Sequence, residues 1–246
     1  MRRFFLENSS FEDGRATVTG PEARHMLKVL RLGPGDEVEL FASNGRLFSA
    51  RIESAGKDFA SLALIKESQM PKPPVEIAVA CALIKGDRLD TAVRMLTELG
   101  AGQIIFFESA FCVREILPQK TEKKLLRWEK LAIESVKQCG RPSIPKIGPV
   151  VDFKGLLEIS GDFDFRLAFW EKKALDSTPL KKMPELIKAM KILALIGPEG
   201  GFSVDEASAL ADAGFAMAGL GPRILRADTA AAAGIVLLQS AFGDMS

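Results

Sequence analysis

From residue 15 to residue 66 the apolar positions fall in short runs that predict strands. RATVTG (15–20), DEVELF (36–41), RLFSARIES (46–54) and FASLALIK (59–66) are rich in Val, Leu, Ile and Phe. They are punctuated by the turn formers GPGD and SNG. Phe48, Ala50 and Ile52 alternate with Ser49, Arg51 and Glu53, the period of a strand with one buried face. Together these runs predict a small β-barrel. One helix is expected within it, over PEARHMLKVLRL (21–32): Pro21 opens it, Ala23, Met26, Leu27 and Leu30 make its apolar face, and Gly33 ends it. SQMPKPPVE (68–76) holds three prolines in nine residues and reads as a stiff linker. The boundary is therefore placed between a domain of residues 1–72 and one of residues 73–246.

Beyond the linker the pattern changes to continuous apolar runs separated by helical periods. VEIAVACALI, AGQIIFFES, DFDFRLAFW, KILALI and FAMAGL read as strands. DRLDTAVRMLTELG, residues 121–138, TPLKKMPELIKAM, VDEASALADAG and residues 228–242 read as helices. Buried strands alternating with helices predict an α/β domain whose mostly parallel sheet is covered on both faces. In the helix at 121–138, Leu125, Trp128, Ala132 and Val136 define the buried side, and Lys123, Lys124, Arg127 and Lys130 a solvated one.

Composition narrows the function classes. With 47 % hydrophobic residues in 246 the chain can fill a core. No run approaches the roughly 18 apolar residues of a membrane span, and MRRFFLENSS lacks a signal-peptide core, so a soluble, cytoplasmic protein is expected. Cys81, Cys112 and Cys139 are widely spaced and His25 is the sole histidine, which supports neither a disulfide framework nor a metal site. His25 is assigned a structural role. Lys and Arg total 33 against 32 Asp and Glu, a net charge of +1, so nucleic-acid affinity would have to come from local patches.

In parallel sheets ligands collect at the carboxyl ends of strands, which points to two loops. IGPEGGFS (196–203) lacks the GK[ST] of a phosphate-binding P-loop and the spacing of GxGxxG. Glu199 would repel a phosphate and suits a hydroxyl, an ammonium or another cation. The plainer alternative is a tight turn at Gly200 and Gly201, with Ser203 as helix cap and Glu206 completing a capping box. In LGPRILRADTAAAAGIVLL (220–238), Gly221 and Pro222 stop a strand, and Arg223 and Arg226 stand three apart. Asp228 or Thr229 then starts a helix whose first turns are nearly all Ala and Gly, which admits a close backbone or a flat ligand.

IGPEGGFSVDE (196–206) together with LGPRILRADTA (220–230) resembles the signature of the ribosomal RNA small-subunit methyltransferase E family, of the SPOUT class. RRFF (2–5), HMLKVLRLGPGDEVELF (25–41), KGDRLD (85–90), TELG (97–100) and LAIESVKQCGRPSIP (131–145) follow in family order. The resemblance implies a PUA-like β-barrel followed by a SPOUT domain with a parallel sheet and a trefoil knot, a topology that general folding rules would not predict. It implies a homodimer with active sites at the subunit interface, S-adenosylmethionine as cofactor and no metal. The implied reaction is methylation of N3 of a uridine in 16S ribosomal RNA or the small subunit.

Residue roles follow from the same resemblance. The cofactor would lie among Leu195, Ile196, Gly197, Glu199, Gly200 and Gly201 of the first loop and Leu220, Gly221, Ile224, Leu225 and Arg226 of the second. Phe169 and Glu171 would add a third wall. Arg226, Asp228 and Glu98 are the catalytic candidates, although Asp228 also reads as a helix cap and Glu98 as an ordinary last-turn residue. Arg3, Arg24, Lys28, Arg31, Lys85, Arg88, Arg141 and Arg223 would contact RNA; Asp87 and Asp90 would cap the helix that follows Lys85. Met95 and Phe111 stand where the family pattern has lysine and arginine. Two other functions remain open: a SPOUT methyltransferase acting on transfer RNA or another ribosomal site, and a non-catalytic RNA-binding assembly factor.

Overall fold

The computed structural model describes residues 2–6, 11–12, 14–42, 46–69, 73–84, 86–112, 118–141, 143–170 and 189–245. Lys85, Glu171, the SNG turn, residues 70–72 of the proline linker and nearly all of TPLKKMPELIKAM lie outside the described residues. The chain divides into two compact units. Residues 1–72 with 136–144 form one, and residues 73–135 with 145–246 the other.

The first unit carries a six-stranded sheet of β1 (Arg3–Leu6), β2 (Phe11–Glu12), β3 (Arg15–Thr19), β4 (Glu37–Ala42), β5 (Arg46–Ala55) and β6 (Phe59–Gln69), in the order β1-β4-β5-β6-β3-β2. β1 runs parallel to β4, whereas the remaining pairs are antiparallel. Inward residues such as Val18, Leu40, Ile52 and Leu62 are buried together with Phe4 and Met26. The expected helix begins as α1 (Gly20–Arg24) with Pro21 in its first turn, then widens into a π-helical turn over His25–Val29. It stops at Arg31, whose φ of 55° is left-handed, and not at Gly33.

Residues 136–144 belong to this unit because Val136 is buried with Phe41 and Leu47. Lys137 pairs with Glu22, and Arg3 donates to the Gly140 carbonyl as well as pairing with Glu39 at 2.8 Å. The Lys137–Glu22 and Arg3–Gly140 contacts join residues 115 and 137 positions apart, beyond the reach of local periodicity.

The second unit is built on a sheet in the order β12-β10-β11-β7-β8-β9, every neighbouring pair parallel. Its strands are β7 (Glu76–Ala82), β8 (Gln103–Phe107), β9 (Lys146–Val151), β10 (Phe165–Phe169), β11 (Lys191–Ile196) and β12 (Ala216–Ala218). Its helices are α2 (Arg88–Glu98), α3 (Pro118–Cys139, whose last turn belongs to the first unit), α4 (Phe153–Ser160), α5 (Val204–Asp212) and α6 (Ala227–Phe242). Sequence patterning misses β9 and α4. β9 is an end strand and so tolerates Pro149, while α4 is only eight residues long, opened by Asp152 accepting the Gly155 N–H at 2.7 Å.

Trp128 of α3 is fully buried and stacks on Phe106 of β8 with ring centroids 3.8 Å apart. Its indole N–H donates to Asp90 at 2.9 Å. Asp90 is thus an acceptor for α3, and Asp87 at the cap position makes no side-chain capping bond, so the expected capping role of Asp87 is not realised. Trp128→Ala is expected to lower unfolding stability by about 3–5 kcal/mol, and Trp128→Phe by less, since it keeps the ring packing and loses the bond to Asp90. Urea unfolding followed by circular dichroism measures both.

Candidate functional site

β10, β11 and β12 lie side by side, and the loops leaving their carboxyl ends converge. β11 is an unbroken buried run as far as Ile196, where Gly197 lets the chain turn out of the sheet. A Cβ on Gly197 would stand 3.1 Å from the Phe202 ring, which is itself buried under the loop. Gly201 closes the turn through its N–H to the Pro198 carbonyl at 2.9 Å, and its φ of 72° explains the glycine.

Ser203 and Glu206 then form the expected capping box at the start of α5. Ser203 Oγ accepts the Glu206 N–H at 3.1 Å, and Glu206 Oε2 accepts the Ser203 N–H at 2.9 Å. The buried Glu206 does more than cap: its Oε1 accepts the Ala110 N–H at 2.8 Å. The turn at 109–112 is thereby fastened to the glycine loop. Phe111 of that turn lies against Gly200, where a Cβ would meet the Phe111 Cβ at 2.9 Å.

The second loop leaves β12 through Leu220 and Gly221, the latter at φ 94°. α6 begins at Ala227, with Arg226 at the cap position and no side-chain capping bond. Asp228 is inside the first turn and accepts the Thr229 N–H at 3.0 Å, so neither Asp228 nor Thr229 is the N-cap. The small residues of this helix serve close packing. Gly234 faces Phe169, and a Cβ there would come within 2.7 Å of the ring.

Between the two loops is a cavity of about 300 Å³. Phe169 and Trp170 at the end of β10, residues 196–202, and Leu220, Ile224, Leu225, Ala227 and Ala230 line it. Of the residues expected at a cofactor, Phe169, Ile196, Gly197, Glu199, Gly200, Gly201, Leu220, Ile224 and Leu225 are brought together here. Leu195 instead points into the core, Gly221 shapes the turn, and Arg226 is exposed at the helix start. Pro198, Trp170, Phe202, Ala227 and Ala230 were not singled out in the sequence. The loop motif located Pro198 and Phe202, whereas Trp170 needed the position of the strand end.

Among the described residues Glu199 is the one carboxylate on the cavity wall, and it pairs with Arg88 in the first turn of α2. Arg88 was expected to meet RNA; the structure gives it to the glycine loop. Asp228 lines a small apolar recess with Cys81, Ile84 and Leu89, which shares Ile196, Gly197 and Ala227 with the main cavity. Glu98, the last residue of α2, is exposed and lines neither space, so the three catalytic candidates do not meet within one chain.

The expected RNA contacts fare unequally. Arg3 is taken up by Glu39 and Gly140, and Arg24 and Lys28 share Asp58 at 3.4 and 3.7 Å. Arg141 is half-buried and has a partner, while Arg31 and Arg223 are exposed. His25 is exposed, with its ring edge-on to Phe4 at 6.0 Å. Among the described residues no group of three His, Cys, Asp or Glu could hold a metal, and no helix is long and apolar enough to cross a membrane.

The cavity suits a flat ligand with a cationic part. Its volume is at the lower end of the roughly 300–1,000 Å³ of small-molecule sites. Its backbone and aliphatic walls would suit an aromatic or heterocyclic ring, and Glu199 would suit positive charge.

Comparison with known proteins agrees with this architecture. Residues 71–239 match the model of an RNA methyltransferase domain, and residues 18–65 that of an RNA methyltransferase PUA domain. Fold and site thus define an RNA methyltransferase-type chain. The Bacillus subtilis ribosomal RNA small subunit methyltransferase E is 32 % identical, with 94 % of this chain and 93 % of that protein aligned. A Neisseria gonorrhoeae ribosomal RNA small subunit methyltransferase E, solved bound to S-adenosyl methionine, superposes with a TM-score of 0.84 at 28 % identity and full coverage of both chains. A Legionella pneumophila protein described as a methyltransferase, in complex with the same cofactor, gives 0.86 at 28 % identity and covers 98 % of each chain. The chain belongs to the ribosomal RNA small subunit methyltransferase E family.

Two outcomes test the site's construction. Removing the buried Glu206 carboxylate by Glu206→Ala leaves the Ala110 and Ser203 amides without their acceptor and is expected to cost about 1–3 kcal/mol in chemical unfolding. The Cys81 thiol is pushed up to about 12 by burial, against 9.0 for the unfolded chain. Ionisation therefore favours the unfolded state, so this thiol's contribution to stability is present below pH 9 and lost between pH 9 and 12. At pH 8.5 iodoacetamide should modify the exposed Cys139 and spare Cys81 until denaturant is added, as read by peptide mass spectrometry.

Proposed function

We propose that this protein methylates N3 of a uridine in 16S ribosomal RNA, with S-adenosylmethionine as methyl donor. The observation that carries the reading is the cavity between the glycine loops, whose aliphatic walls and Glu199 suit an adenosine bearing a sulfonium and an ammonium. S-adenosylmethionine, when bound, supplies an electrophilic methyl group, so the chain need provide neither nucleophile nor metal. Its residues position the partners and handle one proton.

The glycine loop, with Leu220, Ile224 and Leu225 opposite, holds the donor's flat part and excludes water from it. Arg88 keeps Glu199 oriented on the cavity wall. Uracil N3 loses a proton as it is methylated, and negative charge spreads onto the ring carbonyls. Arg226 and Arg223, exposed at and before the start of α6, are the cations for that charge and for the neighbouring phosphate. Asp228 and Glu98 are the candidate proton acceptors. Because Glu98 and Arg226 line neither of the two spaces beside the glycine loop, the reading places the reaction at the interface of a homodimer. It also includes a knotted SPOUT domain, RNA held by Arg24, Lys28, Arg31, Lys85 and Arg141, and a cytoplasmic location.

Calorimetry with S-adenosylmethionine is the first test, and absence of binding would refute the enzyme reading. Mapping modified uridines in small-subunit RNA from cells with and without the protein is the second: the expected loss is one N3-methyl mark, and a missing ribose or transfer RNA mark would overturn the substrate. Arg226→Ala is expected to lower kcat by about 10²–10³-fold with little change in cofactor affinity. Arg88→Glu should weaken cofactor binding several-fold, and the added Glu199→Arg exchange should not restore it, because the cavity then lacks its carboxylate.

A further inference from the structure

Phe111 is a large apolar side chain that is 55 % exposed, yet its backbone is firmly placed. The Cys112 N–H donates to the Ser109 carbonyl at 3.0 Å, and the Ser109 N–H meets Cys112 Sγ at 3.2 Å, which closes the turn on either side of it. The Ala110 N–H is held by the buried Glu206 at 2.8 Å. Phe111 also lies against Gly200, which lines the cavity, so closely that a methyl group on Gly200 would meet it at 2.9 Å. The residue is therefore held beside the loop that lines the cavity.

A phenylalanine whose purpose was to cover that loop would be buried, as Phe202 is at 2 % on the loop's inner side. This one keeps more than half of its surface in water. The loop beside it is bare, since Gly200 and Gly201 have no side chains and Glu199 is engaged by Arg88. An exposed ring beside this loop is open to a flat group that approaches the cavity.

We propose that Phe111 is a stacking platform for a nucleobase of the RNA substrate, holding the plane of the target base or its neighbour at the cavity mouth. The proposal rests on the methyltransferase reading above. Unpaired bases splayed out of an RNA strand stack readily on exposed aromatic side chains, whatever their sequence. Such a contact acts on RNA binding and leaves the cofactor's own contacts untouched. It positions the base and takes no part in the bond-making step.

The test compares Phe111→Ala, Phe111→Leu and Phe111→Trp in the full-length protein. The measurements are methylation kinetics on small-subunit RNA, calorimetry with S-adenosylmethionine, and sedimentation. Phe111→Ala and Phe111→Leu should raise KM for RNA on the order of ten- to hundredfold, with cofactor Kd within about twofold of wild type. Phe111→Trp should restore KM to within a few-fold, because stacking needs a flat ring. The proposal is overturned if Leu substitutes fully, since apolar bulk would then suffice, or if RNA KM stays unchanged. A change of sedimentation in Phe111→Ala would overturn it too, by making the residue a subunit contact. Wild-type protein that neither binds S-adenosylmethionine nor methylates RNA would instead refute the functional reading itself, and this proposal with it.

Discussion

One buried carboxylate fastens the glycine loop of the site to the turn at 109–112. Glu206 accepts the Ser203 N–H on one oxygen and the Ala110 N–H on the other, and it sits in the first turn of α5, where the helix dipole favours a negative charge. A carboxylate this buried would be costly without such partners. Both oxygens face amides of the chain, which suits a fixed strut better than a ligand contact. The neighbouring Glu199 has the opposite environment: half-exposed, paired with Arg88, and on the cavity wall. Two glutamates seven residues apart in one motif therefore divide the work between building the loop and facing its ligand.

Around the cavity, glycines are set against aromatic rings. Gly197 meets Phe202, Gly200 meets Phe111 and Gly234 meets Phe169. At each contact a Cβ would stand between 2.7 and 3.1 Å from the aromatic side chain, tighter than ordinary packing. The glycines thus allow a strand end, a loop and a helix to close on one space without filling it. Gly201 and Gly221 have another reason, their positive φ, and mark where the two loops turn.

Local patterning made a good part of this legible. KILALI followed by GPEGGFS predicts the strand, the turn and the Ser203–Glu206 box, because all three depend on residues within four or five positions. The alanine-rich start of α6 likewise announces a close approach. Other features depend on contacts between distant segments and leave no local trace: the Glu206 bond to Ala110, the Arg88–Glu199 pair, and the packing of Val136 on Phe41 and Leu47. Strand β9 was hidden for a different reason, since Pro149 breaks the strand pattern and is acceptable only at an end of the sheet. The start of α6 was placed one or two residues late because Asp228 resembles a cap, although the geometry puts Arg226 there.

Charge pairing also bears on how such a chain can meet a polyanion. In the first unit Arg3 faces Glu39, Arg15 faces Glu53, Arg51 faces Glu37, and Arg24 with Lys28 face Asp58. Exposed pairs of this kind contribute little to stability, about 0–1 kcal/mol each, but they reduce the positive field that the surface presents. With a net charge of +1 the chain carries little excess positive charge, and Arg31, Arg223 and Arg226 are among its exposed cations. Fewer uncompensated cations mean fewer displaced counterions and a shallower dependence of RNA affinity on salt. Shape and stacking must then supply more of the discrimination than phosphate contacts do. An aromatic ring exposed beside the loop that lines the cavity fits that requirement better than another cation would.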